Sequence, residues 1–396
     1  MVWEGPSLSW TGNIPARSCG DGMAYDKMSF LAGVAVGRNM ESWPAFDAVD
    51  GMFSFIIDTQ AGGARYYSLG LTIDPNNSGV TISWGDGSTQ SGVSGTNGHT
   101  YSVDGIYIII VVGLVKDVSF SGFGGSLLAV NNPIPADPDA ALKRNYLSNM
   151  FKGCSNLQAL PKGLFHNFYD NHYVIYNIES VFDGCSSLRK VPDDLFEGAT
   201  LLTPFDSGVM VASRMFAGCS ALSEVPAGLF SNSEFGKIQV AEEIFAESGL
   251  EEIPDHFFST FTICTSFDEA FSKCTHLRKI GDNIFDGCQR AVQFRSIFWK
   301  CHNLTDIGKR LFSVLNNASV FSYAFSGCYS LETLPDDLFD MYWSGSPNFD
   351  YCFYEDSGIT SEVPELWLYY PNSYKSACFS GCTNAANYND IPNAWK

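Results

Sequence analysis

The sequence predicts a solenoid of short parallel strands and short helices, preceded by a small antiparallel β-sandwich. Three observations lead to this fold class. A motif first seen from Met150 to Phe165 returns until the chain ends. Apolar residues inside each copy recur at spacings of three and four residues. Between Met52 and Phe120, short β-branched and aromatic runs are separated by Gly, Asn, Asp and Pro.

Length and charge limit the classes of protein to which the chain can belong. With 396 residues, 45% of them apolar, the chain can bury a large core. The 43 acidic and 23 basic residues give a net charge of −20, which repels phosphate backbones and anionic lipids. We therefore expect no nucleic-acid partner. We also expect no membrane insertion, because the longest apolar run, Ile106 to Val112, is far shorter than the ~20 residues of a membrane helix.

Four segments are predicted along the chain. Residues 1–49 form an irregular N-terminal segment with Trp3, Trp10 and Trp43, which packs either on the next domain or on a partner. Its first residues lack the basic start and apolar core of a secretory signal, so we expect no signal peptide in this chain. Residues 50–121 form the β-sandwich. Residues 122–145, rich in Gly and Pro, form a linker and capping coil, and residues 146–396 hold nine repeats.

Inside the predicted sandwich, Trp84-Gly-Asp86-Gly is followed by His99-Thr-Tyr101 and then by Gly105-Ile-Tyr107. This order resembles the polycystic-kidney-disease-type (PKD) immunoglobulin-like module. The resemblance implies a PKD-like β-sandwich that serves as a spacer. At Asp86 a tight Asp-Gly hairpin turn is favoured over a calcium site.

Each repeat is numbered from its first phenylalanine, the anchor, at position 0. The anchors are Phe151, Phe182, Phe216, Phe245, Phe271, Phe298, Phe325, Phe353 and Phe379. Their spacing of about 26 to 34 residues is typical of solenoids. Apolar residues at −7, −4, −1, 0 and +3 predict a short helix, and those at +6 and +9 predict a very short strand that the usual proline at +10 ends. Leu-Phe at +13 and +14, soon after that proline, predicts a second helical turn.

The pattern xFxxCxxLxxIPxxLF, from Leu147 to Trp395, resembles the BspA-like class of leucine-rich repeat. The resemblance covers about three fifths of the chain and rests on nine copies. It implies a leucine-rich-repeat solenoid. It also implies a role at a bacterial surface, because BspA-like arrays are associated with bacterial surface adhesins.

Most of the twelve cysteines occupy equivalent repeat positions, which predicts small buried thiols. Those at +3 are Cys154, Cys185, Cys219, Cys274, Cys301, Cys328 and Cys382. Cys352 and Cys378 both occupy −1 in adjacent repeats, where two packed thiols or a disulfide would fit. His276 and His302 lie near the +3 thiols, but no CxxC pair or H-x-x-x-H spacing accompanies them. We predict no metal site and no cofactor.

The sequence contains no phosphate loop, GxSxG elbow or dinucleotide fingerprint. We therefore predict no catalytic residues and a protein that is not an enzyme.

Two kinds of surface are predicted to bind a partner. Residues at +7 and +8 point out of the predicted strand ladder and vary while the frame does not, although drift on a solvated surface gives the same pattern. The candidates there are Arg189, Lys190, Glu224, Glu251, Arg278, Lys279, Asp306 and Glu332. The second surface consists of aromatic residues in the long returns, with Tyr342 and Trp343 as candidates. For both long returns, the one from Phe168 to Tyr173 and the one with Tyr342 and Trp343, a binding role and a core role fit equally.

These features predict a non-catalytic recognition or adhesion protein, bacterial or prophage-encoded, that binds a protein or glycan on a cell surface. The alternative is a structural subunit of a phage tail or surface assembly, docked through residues 1–49. The expected location is the bacterial cell surface, the extracellular space or a virion.

Overall fold

The computed structural model describes residues 51–62, 65–73, 79–137, 139, 144–201, 210–339 and 345–396. The predicted N-terminal segment, residues 1–49, lies outside the described residues. The same holds for the candidate binding residues Tyr342 and Trp343. All nine anchor phenylalanines lie inside the described ranges.

In the described residues before the repeats, the structure has eight strands and one short α-helix. The strands are β1 (Met52–Asp58), β2 (Tyr66–Thr72), β3 (Thr81–Ser83), β4 (Thr89–Ser91), β5 (Gly95–Thr100), β6 (Ile106–Val112), β7 (Asp117–Ser119) and β8 (Leu127–Val130). They form two antiparallel sheets, one with the strand order β4-β3-β6-β1-β8 and one with the order β5-β2-β7. The helix α1 (Thr59–Gly62) follows β1 directly.

The core between these sheets is aromatic. Phe55 of β1 and Tyr67 of β2 both contact the ring of Phe123, with centroid distances of 5.1 and 6.0 Å. Phe123 lies in the 3₁₀ segment Ser121–Ser126. Tyr101 and Trp84 are fully buried, and the Tyr101 hydroxyl donates to the Trp84 carbonyl at 2.8 Å. A single aromatic cluster therefore joins the two sheets.

The strands in the repeats are shorter and parallel. They are β9 (Arg144–Tyr146), β10 (Val174–Asn177), β11 (Thr200–Leu201), β12 (Met210–Val211), β13 (Ile238–Val240), β14 (Glu252–Ile253), β15 (Lys279–Ile280) and β16 (Asp306–Ile307). Each pairs with strands of neighbouring repeats. Single parallel bridges extend the contact from Val240 through later repeats to Tyr374. The repeats therefore lie side by side in a regular order, and we call residues 146–396 the repeat stack.

Phenylalanine rings fill the centre of the repeat stack. Each anchor ring lies flat against the anchor ring of the next repeat, with centroid distances from 5.2 to 5.6 Å and interplanar angles of 20° or less. Every anchor is fully buried. A second column contains Phe258, Phe285, Phe312 and Phe339, and a third contains Phe267, Phe294, Phe321 and Phe349. Because aromatic rings bury large apolar areas, these columns give each pair of neighbouring repeats a large hydrophobic contact.

The backbone around each anchor is a left-handed turn at positions −2 and +2. Residues with positive φ at −2 are Asn149, Ser180, Arg214, Glu243, Glu269, Ser296, Tyr323, Tyr351 and Ala377. Those at +2 are Gly153, Gly184, Gly218, Glu247, Lys273, Lys300, Gly327, Glu355 and Gly381. The amides at −2, 0 and +2 donate to carbonyls at −3, −1 and +1 of the next repeat. Between the first two repeats these bonds run from Asn149 to Glu179, from Phe151 to Val181 and from Gly153 to Asp183, at 3.1, 2.9 and 2.7 Å. The same three bonds join every later pair of repeats.

The predicted fold class, a leucine-rich-repeat solenoid of short parallel strands and short helices, is wrong. The longer strands, of six or seven residues, all belong to the two antiparallel sheets. In the described repeats the α-helices are only α2 (His166–Asp170) and α3 (Leu366–Tyr369), and neither precedes a Gly-Cys pair. The segments predicted as helices are turns, because the left-handed residues direct amides toward the next repeat, whereas an α-helix directs them along its own axis.

The antiparallel sheets continue into the repeat stack through Phe120 and β8. The Phe120 ring lies on the ring of Phe151 at 4.9 Å, and its amide donates to the Met150 carbonyl at 2.8 Å, as an anchor's amide does. Ala129 of β8 forms a parallel bridge with Ala159 of the first repeat. The first repeat therefore packs directly on the sheet that contains β8. The domain boundaries near residues 121 and 145 stay predictions.

At the other end of the stack, Trp395 packs over the last anchor, Phe379. Their ring centroids are 6.2 Å apart, and the Phe379 amide donates to the Trp395 carbonyl at 2.9 Å. The indole is only 2% exposed. Trp395 therefore closes the column of anchor rings at the C-terminal end.

Candidate functional site

The strand face of the repeat stack carries the charged residues predicted to bind a partner. All eight candidates are exposed except Glu251, which is half-buried. The register of β14, β15 and β16 places Lys279 between Glu252 and Asp306. Acidic and basic side chains therefore alternate from one repeat to the next along this part of the face.

Several of these candidates form ion pairs with one another. Lys190 and Glu224 lie 2.9 Å apart, and Arg278 pairs with Glu251. Arg189 and Glu332 are exposed at other points of the same face. Exposed pairs of this kind stabilise a fold by only about 0–1 kcal/mol, so they contribute little to folding. Each pair neutralises its two charges locally, so the face presents less unpaired charge to a partner.

The predicted aromatic surface in the first long return is part of the core. Phe168, Tyr169 and Tyr173 are all buried. The Tyr169 hydroxyl donates to the Leu195 carbonyl at 3.0 Å, and the Tyr173 hydroxyl donates to the Asp137 carbonyl at 2.9 Å. These tyrosines hold neighbouring segments together and are not available to a ligand.

An aromatic surface that sequence reasoning missed lies on the turn face of the seventh and eighth repeats. Tyr323 and Tyr351 both occupy position −2, and their rings stack at 4.7 Å with an interplanar angle of 7°. Tyr354 meets Tyr351 edge-on at 5.5 Å. Tyr323 is 37% exposed, and the other two rings are half-buried. With Asp350 and Glu355, which flank these rings in sequence, we call this set the tyrosine surface.

Negative charge from Asp350 and Glu355 acts on these rings. The pKa of Tyr323 is raised by its partial burial, by Tyr351 and by Asp350. The pKa of Tyr354 is raised by its hydrogen bond to Glu355 and by the charge of that carboxylate. Burial is the largest cause of the shift at Tyr323, and Glu355 is the largest cause of the shift at Tyr354, so the contributions of Asp350 and Glu355 indicate an electronegative surface.

The +3 cysteines form a buried column of reduced thiols. Each Sγ donates to the carbonyl of the previous anchor, or of Phe120 in the first repeat, at 3.0 to 3.5 Å. Burial raises the pKa of Cys154 to about 12 and that of Cys274 to about 11. A thiol with a raised pKa is a poor nucleophile, so these residues are structural. Cys352 and Cys378 are likewise free and buried.

In the eighth repeat Asp356 replaces the +3 cysteine. Its side chain is fully buried, and Oδ1 accepts the Cys328 amide at 2.6 Å. Oδ2 has no hydrogen-bond partner among the described residues. Burial raises the pKa of Asp356 well above its usual value, which favours the protonated carboxyl.

The Asp86 turn of the antiparallel sheets is held by its own hydrogen bonds. Asp86 Oδ1 accepts the Ser88 amide at 3.0 Å and the Ser88 hydroxyl at 2.6 Å. Asp86 Oδ2 lies 2.7 Å from His99 Nε2, and the His99 ring stacks on Trp84 at 5.0 Å. Both carboxylate oxygens are therefore engaged within the turn, which agrees with the hairpin interpretation of this motif.

The described ranges contain no group of three or more His, Cys, Asp or Glu side chains arranged to hold a metal ion. Within those ranges, no helix has the length and apolar character needed to cross a membrane. No protein-family model matches the chain, and no curated protein matches it.

One sequence signal would have revealed the tyrosine surface. Tyr323 and Tyr351 occupy the same repeat position in consecutive repeats, where the earlier repeats carry Asn, Ser, Arg or Glu. Aligning position −2, and not only the apolar positions, places the two rings side by side. The edge contact from Tyr354 requires the turn geometry and is not visible in the sequence.

Proposed function

We propose that this is a non-catalytic recognition protein, bacterial or prophage-encoded, that binds a protein or glycan on a cell surface. It acts at the bacterial surface, outside the cell or on a virion. The repeat stack supplies a rigid frame, and exposed side chains on that frame supply the specificity. The net charge of −20 disfavours nucleic acid as the partner.

The observation that carries this proposal is the contrast between backbone and side chain at position −2. The nine residues there share φ values between 49° and 59°, and each of the first eight donates its amide to the next repeat. Their side chains include amide, hydroxyl, cationic, anionic and aromatic groups. A fixed frame that presents changing side chains is the arrangement that repeat proteins use for binding.

Catalysis has little support among the described residues. The buried thiols have raised pKa values, and their Sγ atoms donate to backbone carbonyls, with the Ser248 hydroxyl also 3.3 Å from the Cys274 Sγ. His99 lies within hydrogen-bond distance of both a serine and an aspartate, but it directs the same ring nitrogen, Nε2, toward Asp86 and toward Ser88. A catalytic triad uses the two ring nitrogens separately, so this set serves the turn.

Binding of the labelled full-length protein to bacterial and animal cells tests the proposal. We expect saturable binding that unlabelled protein competes away and that heat-denatured protein does not reproduce. Equal retention of native and denatured protein would show that the folded surface is not responsible. Digestion of the cells with protease or with glycosidases then distinguishes the two kinds of ligand, because binding is lost only when the ligand is destroyed.

The second candidate function, a structural subunit docked through residues 1–49, rests on the three tryptophans in that segment. Deleting residues 1–49 and measuring the mass in solution separates the two. A structural subunit would lose its higher-order assembly on this deletion. A recognition protein would keep both its oligomeric state and its binding to cells.

A further inference from the structure

We propose that the tyrosine surface binds a basic protein segment, one that presents arginine or lysine side chains to Tyr323, Tyr351 and Tyr354 between Asp350 and Glu355. This inference rests on the recognition function proposed above and specifies its ligand. It also narrows the partner from a protein or glycan to a protein.

The ring geometry leaves aromatic faces for a ligand to cover. Tyr323 is 37% exposed, and Tyr351 is half-buried and is met edge-on by Tyr354. The two rings stack on each other, so only the face of each ring outside the stack is left for a ligand. The adjacent repeats place only Ser296 and Ala377 at the same position. These small side chains do not extend the aromatic column, and a planar guanidinium or an ammonium group fits beside either ring.

The charges around the rings favour a cation. Glu355 is exposed, and Asp350 is half-buried, with Oδ1 accepting the Ser376 amide. Neither carboxylate forms an ion pair with a basic side chain in the described part of the chain. A neutral sugar would donate hydroxyl hydrogen bonds to these carboxylates, whereas a basic side chain would gain such bonds, the Coulombic attraction of opposite charges and a cation–π contact with the rings.

In earlier repeats the same face shows carboxylates and an aromatic ring that are in contact with a basic side chain of the chain itself. Arg214, at position −2, pairs with Asp183 of the repeat before it and with Glu243 of the repeat after it. The Lys300 ammonium lies 4.3 Å from the centroid of the Trp299 ring. The tyrosine surface combines both kinds of acceptor, carboxylate and ring, and no cation from the described ranges pairs with either. An incoming basic side chain would therefore complete a contact that the chain already makes elsewhere.

The surface fits a segment with more than one basic residue. One cation–π contact and one exposed ion pair together strengthen binding by about fivefold to thirtyfold, which is too little for a stable complex by itself. Two outer ring faces and two carboxylates offer sites for two basic side chains. We therefore expect affinity to rise steeply from peptides with one basic residue to peptides with several.

Titration calorimetry on the full chain tests this with a tetra-arginine peptide, a tetra-lysine peptide and an uncharged tetra-citrulline peptide. The variants are Tyr351→Asn and Glu355→Gln. Asn is chosen because Asn149 already occupies position −2 with positive φ in the first repeat. Glu355→Gln changes an exposed side chain, so it remains informative if the tyrosine variant fails to fold. The matched control is Asp336→Asn, which removes one exposed carboxylate elsewhere in the stack.

We expect the charged peptides to bind, tetra-citrulline not to bind, and each surface variant to weaken binding by about fivefold or more while Asp336→Asn has no effect. An equal loss in all three variants would indicate general attraction to an acidic protein and overturn the proposal. Absence of binding by both charged peptides would overturn it as well. A chitohexaose probe that binds and is lost in Tyr351→Asn would reassign the surface to a glycan.

The cell-binding experiment keeps the two proposals apart. If the native protein binds cells and both surface variants bind equally well, the recognition function stands and the tyrosine surface is not its site. If no cell type retains the native protein, the recognition function fails, while the peptide titration still decides whether the surface takes basic segments.

Discussion

Asp356 stands in the eighth repeat where Cys328 stands in the seventh, and its Oδ1 accepts the Cys328 amide at 2.6 Å. The Cys328 amide also donates to the Phe325 carbonyl, so it keeps a partner when Asp356 is changed. Asp356 Oδ2 is buried and has no hydrogen-bond partner in the described part of the chain. The repeat pattern therefore predicts that cysteine at position 356 would be more stabilising than the aspartate that is present.

Asp356→Cys should raise the free energy of unfolding by about 1–3 kcal/mol, because it removes a buried polar atom without a partner. The gain should grow with pH. Below the unfolded pKa of about 3.9 both states are protonated, and above it the unfolded state ionises first because burial raises the folded pKa. Urea unfolding at pH 4 and pH 8 measures this, with Asp336→Asn as the control. A gain that is equal at both pH values would mean that Asp356 is not protonated in the folded protein.

Ala377→Gly should raise the free energy of unfolding by about 0.5–1 kcal/mol. Ala377 has a φ of 49°, a left-handed conformation that glycine adopts without the Cβ clash. The control is Ala386→Gly, since Ala386 is exposed and is not among the positive-φ residues. Glycine there should lower stability or leave it unchanged. Thermal unfolding of the two variants checks the prediction, and a gain in both would contradict it.

The thiols should be inert in the folded protein. All eleven cysteines at described positions are buried and free, and the remaining one, Cys19, lies outside the described residues. At pH 8 we expect a thiol reagent to modify at most one cysteine within minutes, and all twelve after urea denaturation without reductant. The raised pKa values, which result from burial, keep the thiols protonated well above that pH. A total of ten would reveal a disulfide, for which Cys352 and Cys378 are the first candidates.

Arg278→Glu should lower the free energy of unfolding by about 0.5–1 kcal/mol, because it faces Glu251 with a like charge. The double change Glu251→Arg/Arg278→Glu should restore most of the loss. Solvent reaches both side chains, since Arg278 is exposed and Glu251 is only half-buried, so the effect should shrink at 1 M salt, where charges are screened within about 3 Å. Denaturant titrations at low and high salt measure it. A loss that the swap does not restore would mean that Arg278 acts through packing.

The periodic features of the sequence predicted where each repeat lies and which of its residues are buried. They did not predict the backbone conformation of the repeats. The anchor phenylalanines and the +3 cysteines are buried in register, as a period near 27 residues requires. The helices were predicted wrongly because spacings of three and four also arise from consecutive turns. Left-handed conformations at Arg214, Glu243 and Lys273 have no signature in the sequence, since these residue types rarely adopt them.

The strand-face candidates show a different limit. Their exposure follows from the repeat pattern, and the structure places them outward. Their pairing does not follow, because Lys190 and Glu224 are 34 residues apart and meet only through the stacking of adjacent repeats. The tyrosine surface was missed for the same reason, since Tyr351 meets Tyr323 across a repeat boundary.

The three amide-to-carbonyl bonds at every junction all point the same way, from the earlier repeat to the later one. Any repeat thus offers its successor the same donors, whatever side chains it displays. Loss or duplication of one whole unit would leave the new neighbours matched, so the length of such a chain can change in evolution without redesign of its interior. The two ends of the stack are exceptions. There Phe120 and Trp395 take the place that an anchor of a neighbouring repeat takes elsewhere.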